Sequence, residues 1–300
     1  MHPIERLTDD IHSLVDNADT TPVNDENIVT LASNIAGHVR AMFNREPRVR
    51  AANKLYISEL GTKCVRQLWY KVNMPELGEK LPPAAKIKFL YGSILEELVL
   101  FLCKEAGHDV KDEQKPVQHS LTVLDENGRP TYLTASGRRD ATIDGCVVDV
   151  KSTSPYGYDK IVRDRLPPEK DTFGYIEQVS GYVSSEAEMD NPKGILAIDK
   201  QNGHIGFTET PYVAPALNMA RVAPAFNKEK LPDRGFEDKP YGSSGNMALC
   251  TECSYCAFKT ECWTGLRGFS YSGKPVFLTK VFKEPKVPEL VMNVREDDDA

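Results

Sequence analysis

Ser136-Gly137-Arg138-Arg139-Asp140-Ala141-Thr142-Ile143, then Asp144-Gly145, then Cys146-Val147-Val148-Asp149-Val150-Lys151-Ser152 reads as two short strands joined by a hairpin turn. Three of the five residues Cys146 to Val150 are valine, so the second strand belongs in a core. Yet Asp149 and Lys151 are separated by one residue and therefore share a face of that strand. Two ionised groups on a core strand cost several kcal/mol unless a metal, a partner or water compensates them. The face they share is therefore expected to open onto a site. A carboxylate on each of two neighbouring strands, with a lysine two residues past the second, suits metal-dependent phosphodiester hydrolysis. Asp140 and Asp149 offer hard oxygen ligands for Mg²⁺ or Mn²⁺, and Lys151 can orient or deprotonate a water or neutralise developing negative charge. The plain alternative is a surface hairpin carrying an ordinary ion pair.

The pattern on either side supplies further candidates. Asn27 to Asn44 carries Ile28, Leu31, Ile35, Val39 and Phe43 at helical steps. A shorter helix is expected near Ile4 to Val15. Arg45, Arg48, Arg50 and Lys54 form a basic stretch that reads as DNA-backbone contact or as a solvated linker. Ser58 reads as the N-cap of a helix running to Val72, and Pro82-Pro83 introduces another from Ala84 to Ala106, ended by Gly107. That helix carries Glu96 one turn beyond Gly92; Glu97 and Gln114 are further candidates. Residues 109 to 153 read as strands, with Glu126-Asn127-Gly128 and Asp144-Gly145 at turns, and 154 to 168 as a polar loop. A helix is expected over Glu169 to Ser185; there Gln178 and Tyr182 are four apart and lie on one face, either toward a site or as packing. Lys193 to Thr210 reads as a hairpin turning at Gln201-Asn202-Gly203.

Gly-Arg-x-Asp, eight intervening residues and Asp-Val-Lys-Ser-Thr resemble motifs II and III of the PD-(D/E)XK nuclease superfamily. The likeness is closest to its RecB-like exonuclease branch. Gln178-Val179-Ser180-Gly181-Tyr182 resembles that branch's Gln-x-x-x-Tyr helix, and Gly92-Ser93-Ile94-Leu95-Glu96 its Gly-x-x-x-(Glu/His) helix. The resemblance spans roughly residues 55 to 265, with the motifs in the family's order. It implies a restriction-endonuclease-like α/β core, a mixed central sheet flanked by helices. It also implies a metal site of Glu96, Asp140 and Asp149 with the Val150 carbonyl, Lys151 acting on water, and Gln178 and Tyr182 positioning the strand. The implied activity is a DNA exonuclease of phage or bacterial recombination, repair or processing. Two alternatives remain: a catalytically silent nuclease-fold module that binds DNA ends or a protein, and a CRISPR-adaptation nuclease with integrase partners.

The net charge of −7 looks unsuited to a DNA-binding protein until it is divided along the chain. Residues 1 to 27 carry −6 and residues 284 to 300 carry −4, which leaves +3 on the remainder. A mildly basic body can hold phosphate through a local groove. The chain, 40% hydrophobic and 27% charged, has no apolar run of membrane-spanning length and no apolar signal segment at its start. The expected setting is cytoplasmic, the host cytoplasm if phage-encoded. DNA with free ends or single strands is the expected partner, beside a recombination or replication protein and no membrane.

Cys103 and Cys146 fall in apolar contexts and read as small core residues. Cys250-x2-Cys253-x2-Cys256-x5-Cys262 is dense enough to be a metal centre in a reducing compartment, either Zn²⁺ held by these four or an iron–sulfur cluster. The resemblance selects between them. AddB-type and CRISPR-associated RecB-like exonucleases place one cysteine before the core and C-x2-C-x5-C after it, holding a 4Fe–4S cluster. Cys64, in Ser-x-Leu-Gly-x-x-Cys-x-Arg-x-x-Trp-Tyr, and Cys253, Cys256 and Cys262 match that arrangement, leaving Cys250 spare. The expected organisation is a partly helical N-terminal extension over 1–54, a nuclease domain over 55–283 with the C-terminal iron–sulfur wrap, and an acidic tail over 284–300.

Overall fold

The valine-rich segment forms a strand buried on both faces, and the first structural unit is assembled around it. The computed structural model describes residues 2–44, 49–124, 128–272 and 274–292. The expected turn residues Glu126 and Asn127, the basic residues Arg45 and Arg48, and the acidic run 296–299 lie outside the described residues. The fold is α/β, with mixed sheets flanked by helices. Its contacts divide into two units. One comprises Met1–Thr62 and Leu81–Ala223, the other Lys63–Lys80 and Pro224–Ala300.

The first unit holds two sheets. Strands β1 (Lys54–Tyr56), β2 (Val110–Lys111), β3 (Lys115–Leu124), β4 (Pro130–Arg139), β5 (Ala141–Ile143), β6 (Cys146–Thr153), β7 (Lys193–Asp199) and β8 (Ile205–Glu209) follow in chain order. The smaller sheet runs β1-β4-β3 and the larger β2-β5-β6-β7-β8. β6 and β7 pair in parallel while the other neighbours in the larger sheet are antiparallel. A parallel pair needs a crossover, and residues 154 to 192 provide it.

Alternation along β6 sorts its side chains. Cys146, Val148 and Val150 join Leu196 and Ile198 of β7 in one apolar cluster, against Val99, Leu100 and Cys103 of the helix Pro83–Glu105. Ile4, Leu7 and Ile11 complete that cluster, so the N-terminal segment, a short 3-10 turn and then the helix Leu7–Asp16, is part of the core. On the opposite face Ile195 and Ala197 of β7 pack with Tyr158, Ile161, Leu166, Ile176 and Val179 of the crossover. Asp149 and Lys151 point to this second face.

Several boundaries depart from expectation for identifiable reasons. The strand expected over Ser136 to Ile143 is interrupted at Asp140: β4 ends at Arg139 in one sheet and β5 begins at Ala141 in the other. The helix expected from Ser58 is a 3-10 turn, Ile57–Glu59, and the α-helix begins at Val65 with Cys64 as its N-cap. Gly61 breaks the run because its backbone abuts that of Gly174; a Cβ on either would come within 2.3 Å of the other's Cα. The helix expected over Glu169 to Ser185 is confined to Tyr175–Gly181, started by Gly174 at φ +73°. The crossover loop contains the short helix Pro155–Tyr158 and a π turn, Asp159–Arg163. The helix Asp25–Asn44 forms as expected but buries none of its residues; Phe43 is 76% exposed. Polar bonds dock it on the helix Pro83–Glu105, with Glu97 accepting from Asn34 Nδ2 at 2.8 Å and lying 2.9 Å from His38 Nε2.

In the second unit, β9 (Lys239–Pro240), β10 (Met247–Ala248), β11 (Arg267–Tyr271), β12 (Lys274–Lys280) and β13 (Glu289–Leu290) form an antiparallel sheet ordered β13-β11-β12-β10-β9. Ala248, Phe269 and Leu278 are its buried centre. The helix Val65–Asn73 belongs to this unit. Its Trp69 Nε1 donates to Asn227 O at 2.7 Å, and Tyr70 stacks on Phe258 with ring centroids 5.4 Å apart. No helix among the described residues is long and apolar enough to cross a membrane.

Candidate functional site

Asp149 is 1% exposed, and burial is the main force raising its pKa. Lys151 Nζ lies 2.6 Å from Asp149 Oδ2 but without hydrogen-bond direction, so that buried oxygen accepts no aligned bond. Oδ1 accepts from Gln178 Nε2 at 3.2 Å, and the same amide nitrogen donates to Tyr182 Oη at 2.9 Å. The Gln178 and Tyr182 pair, one turn apart, thus meets Asp149 through its glutamine. Asp140, at the junction of the two sheets, accepts the Val150 backbone N–H at 2.7 Å. Burial and the neighbouring Asp149 push its pKa up to about 7, against the pull of Lys151 and the Val150 N–H. Glu96 feels burial first and then the charges of Asp140 and Asp149, which push it up to about 9. Its Oε1 accepts from Gln114 Nε2 at 2.8 Å. Burial opposes the charge on Lys151, but Asp149 and Asp140 outweigh it and hold the ammonium well above the ordinary lysine range.

Three carboxyls that repel one another, with a lysine paired to one of them, make a locally acidic site whose charge Lys151 only partly offsets. Among the described residues no three His, Cys, Asp or Glu side chains already stand in metal-holding geometry. Asp149 is drawn to Lys151, and Glu96 to Gln114. The donor set is hard oxygen throughout and fits a Mg²⁺- or Mn²⁺-class ion.

Other residues surround the site, and of these Arg139 and Tyr175 carried no signal of their own that single-sequence reading could use. Gly137 has Ile57 Cβ 3.0 Å and a Tyr182 ring carbon 3.3 Å from where a Cβ would sit, so the motif glycine lets Tyr182 lie over β4. Arg139 is fully buried and pairs with Asp112 and, at 3.0 Å, with Glu188. Tyr175 presents its ring 5.4 Å from Lys151 Nζ. Gly92 lies near the end of β6, where a Cβ would meet Ser152 Oγ at 3.5 Å, an ordinary contact. Glu97 is occupied with Asn34 and His38.

Cys64, Cys250, Cys253, Cys256 and Cys262 belong to the second unit, and among the described residues no three of them stand in metal-holding geometry. Burial first raises the Cys253 thiol, followed by a hydrogen bond that its S–H donates to Cys250 and the charges of Cys250, Cys256 and Cys64. Cys256 is raised by burial and by Cys64 and Cys262, while the Phe258 N–H, 3.4 Å from its Sγ, pulls the other way. Cys64 and Cys262 therefore belong to the same electrostatic neighbourhood as Cys253 and Cys256. Gly235 makes room for Cys64, since a Cβ there would stand 3.0 Å from Cys64 Cβ. Arg66 Nη1 lies 3.8 Å from Cys262 Sγ. Thiols that penalise one another's ionisation, with N–H groups aimed at sulfur, fit thiolate ligands of a metal or cluster. Cys103, pushed up to about 12 by burial, and Cys146 are core residues.

No protein-family model matches the chain, and no curated protein matches it. Among solved structures, one titled "Crystal structure of SSO0001" superimposes with a TM-score of 0.43 and 18% identity, over 77% of this chain and 93% of that one. A likeness that distant bears on neither fold nor function.

Proposed function

We propose that this chain is a metal-dependent DNA exonuclease of the RecB-like kind, built on a PD-(D/E)XK core and acting in DNA recombination, repair or processing. The observation that carries the reading is the group Glu96, Asp140, Asp149 and Lys151, with carboxyls raised to about 9 and about 7 on Glu96 and Asp140 and an unaligned oxygen on Asp149. Glu96, Asp140 and Asp149 would hold Mg²⁺ or Mn²⁺, with the Val150 carbonyl as a further ligand. When bound, such an ion lowers the pKa of water and offsets charge on phosphorus. Lys151 stays protonated beside its carboxylates, so of its two expected roles donation fits better than proton abstraction. It orients the attacking water or neutralises a non-bridging phosphate oxygen. The water oxygen bonds to phosphorus and releases a proton to solvent as the bond to the leaving sugar oxygen breaks, and that oxygen takes up a proton from solvent. Gln178 tethers Asp149 and Tyr182 to one helix face, which fixes the strand relative to the acids.

A 4Fe–4S cluster on Cys64, Cys253, Cys256 and Cys262 is part of the same proposal, with a structural role. Cys64 acts on both Cys253 and Cys256, as a set that includes it requires; Cys250 acts on Cys253 more strongly, so metal analysis is what separates this set from zinc on Cys250, Cys253, Cys256 and Cys262.

The test is a nuclease assay with Mg²⁺ or Mn²⁺ beside a direct metal-binding measurement. Asp149→Ala should lose metal binding and cleavage together. Lys151→Ala should keep metal binding and lose about 10²–10³-fold in rate, the range for removing one donor that stabilises developing charge. Undiminished cleavage by both variants would sink the reading.

A further inference from the structure

The loop entering the Gln178 helix holds an aromatic ring in solvent on a rigid mount. Phe173 is 61% exposed, yet its ring stacks on that of Tyr175 with centroids 5.6 Å apart and planes 30° apart. Tyr175 in turn faces Lys151 Nζ at 5.4 Å. The two rings therefore form a ladder running from the lysine of the proposed reaction out to water. Nothing about the loop is slack. Asp171, 3% exposed, accepts from Gly174 N and Ile176 N, both at 2.9 Å, and Gly174 is pressed against the Gly61 backbone. Lys160 Nζ lies 3.4 Å from Thr172 Oγ1, bringing positive charge to the base of the loop. A ring 61% exposed contributes to folding only through its stack on Tyr175, whereas a preorganised ring beside a lysine suits a planar, anionic ligand.

The geometry points to Phe173 and Tyr175 as a stacking platform for an unpaired nucleobase of the strand whose phosphate lies at Lys151. This rests on the nuclease reading and adds positioning residues to it. Every base offers a π-face, so the platform is indifferent to sequence. It does require the base to be out of a duplex, and it fixes the distance between that base and the phosphate undergoing attack.

The experiment places 2-aminopurine, whose fluorescence falls on stacking, at successive positions of a single-stranded oligonucleotide. The titrations use Asp149→Ala protein, which cannot consume the probe. Quenching is expected at one position, to vanish with Phe173→Ala in the Asp149→Ala background, and to persist with Phe173→Trp. Because Phe173 is exposed, the melting temperature should not move. In otherwise unaltered protein, Phe173→Ala should raise KM on the order of ten- to a hundredfold, the worth of one base–aromatic stack, with a smaller effect on kcat. Quenching at no position, or quenching untouched by Phe173→Ala, overturns the platform. Position-specific quenching lost with Phe173→Ala, in a protein that cleaves no DNA with either metal, would uphold the platform and overturn the nuclease reading.

Discussion

At the scale of single residues, the site is defined by charges the fold keeps close against their preference. Glu96 and Asp140 retain protons at pH values where the unfolded chain, with carboxyls near about 4, has released them. The native state then binds more protons than the unfolded state, so stability falls as pH rises. Metal-free protein should therefore be most resistant to unfolding near the unfolded carboxyl pKa. It should lose stability progressively as pH climbs through about 7 and on to about 9. Saturating Mg²⁺ or Mn²⁺ should flatten that slope, because the ion takes the place of the protons. Thermal melts in chelator between pH 5 and 9 measure it; a melting temperature that rises over that window would show that the carboxyls are not clustered in solution. Asp149, Lys151, Gln178 and Tyr182 were legible in the sequence because their spacing assigns faces directly. Arg139 was not, since its partners Asp112 and Glu188 lie far away in sequence on a turn and a short helix. Phe173 and Tyr175 look like any aromatic pair until the loop is folded.

At the scale of elements, the hairpin β5–β6 with Asp144-Gly145 and the helix after Pro82-Pro83 follow from local signals: both turn residues have positive φ, and the helix ends in Gly107 at φ +88°. β7 and β8 pair as expected around Gly203, also at positive φ. What was not legible is tertiary. Asp140 separates two sheets only because β4 finds β1 and β3 while β5 finds β2 and β6. Likewise the Gln178 helix is short because Gly174 must meet Gly61. Gly174→Ala should be costly on two counts, a left-handed backbone and a Cβ 2.3 Å from the Gly61 Cα. A loss of more than about 1 kcal/mol is expected from the backbone conformation alone. Since the same helix carries Gln178 and Tyr182, cleavage should fall more steeply than stability. Denaturation midpoints compared with cleavage rates separate the two effects; equal activity at reduced stability would mean that the helix does not position the strand.

At the scale of the whole chain, the second unit is built from two separated segments, and its cysteines come from both. If Cys64 shares a cluster with Cys253, Cys256 and Cys262, the free energy of binding becomes free energy of folding for that unit. Protein prepared without oxygen should be brown, with broad absorption near about 400 nm and about four irons per chain. Cys64→Ala should bleach it and loosen the helix Val65–Asn73, whereas Asp149→Ala should leave the colour intact. Colourless protein with one zinc, insensitive to Cys64→Ala and damaged by Cys250→Ala, would replace the iron–sulfur cluster with zinc and leave the nuclease proposal standing.

The same discontinuity has a consequence in time. Leu68, Trp69 and Tyr70 emerge from the ribosome early, but Asn227 and Phe258, which bond Trp69 and cover Tyr70, are made more than a hundred and fifty residues later. At about 5–20 residues per second, the helix waits on the order of 10–40 s with its apolar face uncovered. Throughout that interval Trp69 and Tyr70 lack these two partners, and a chain halted before residue 258 never acquires the second of them.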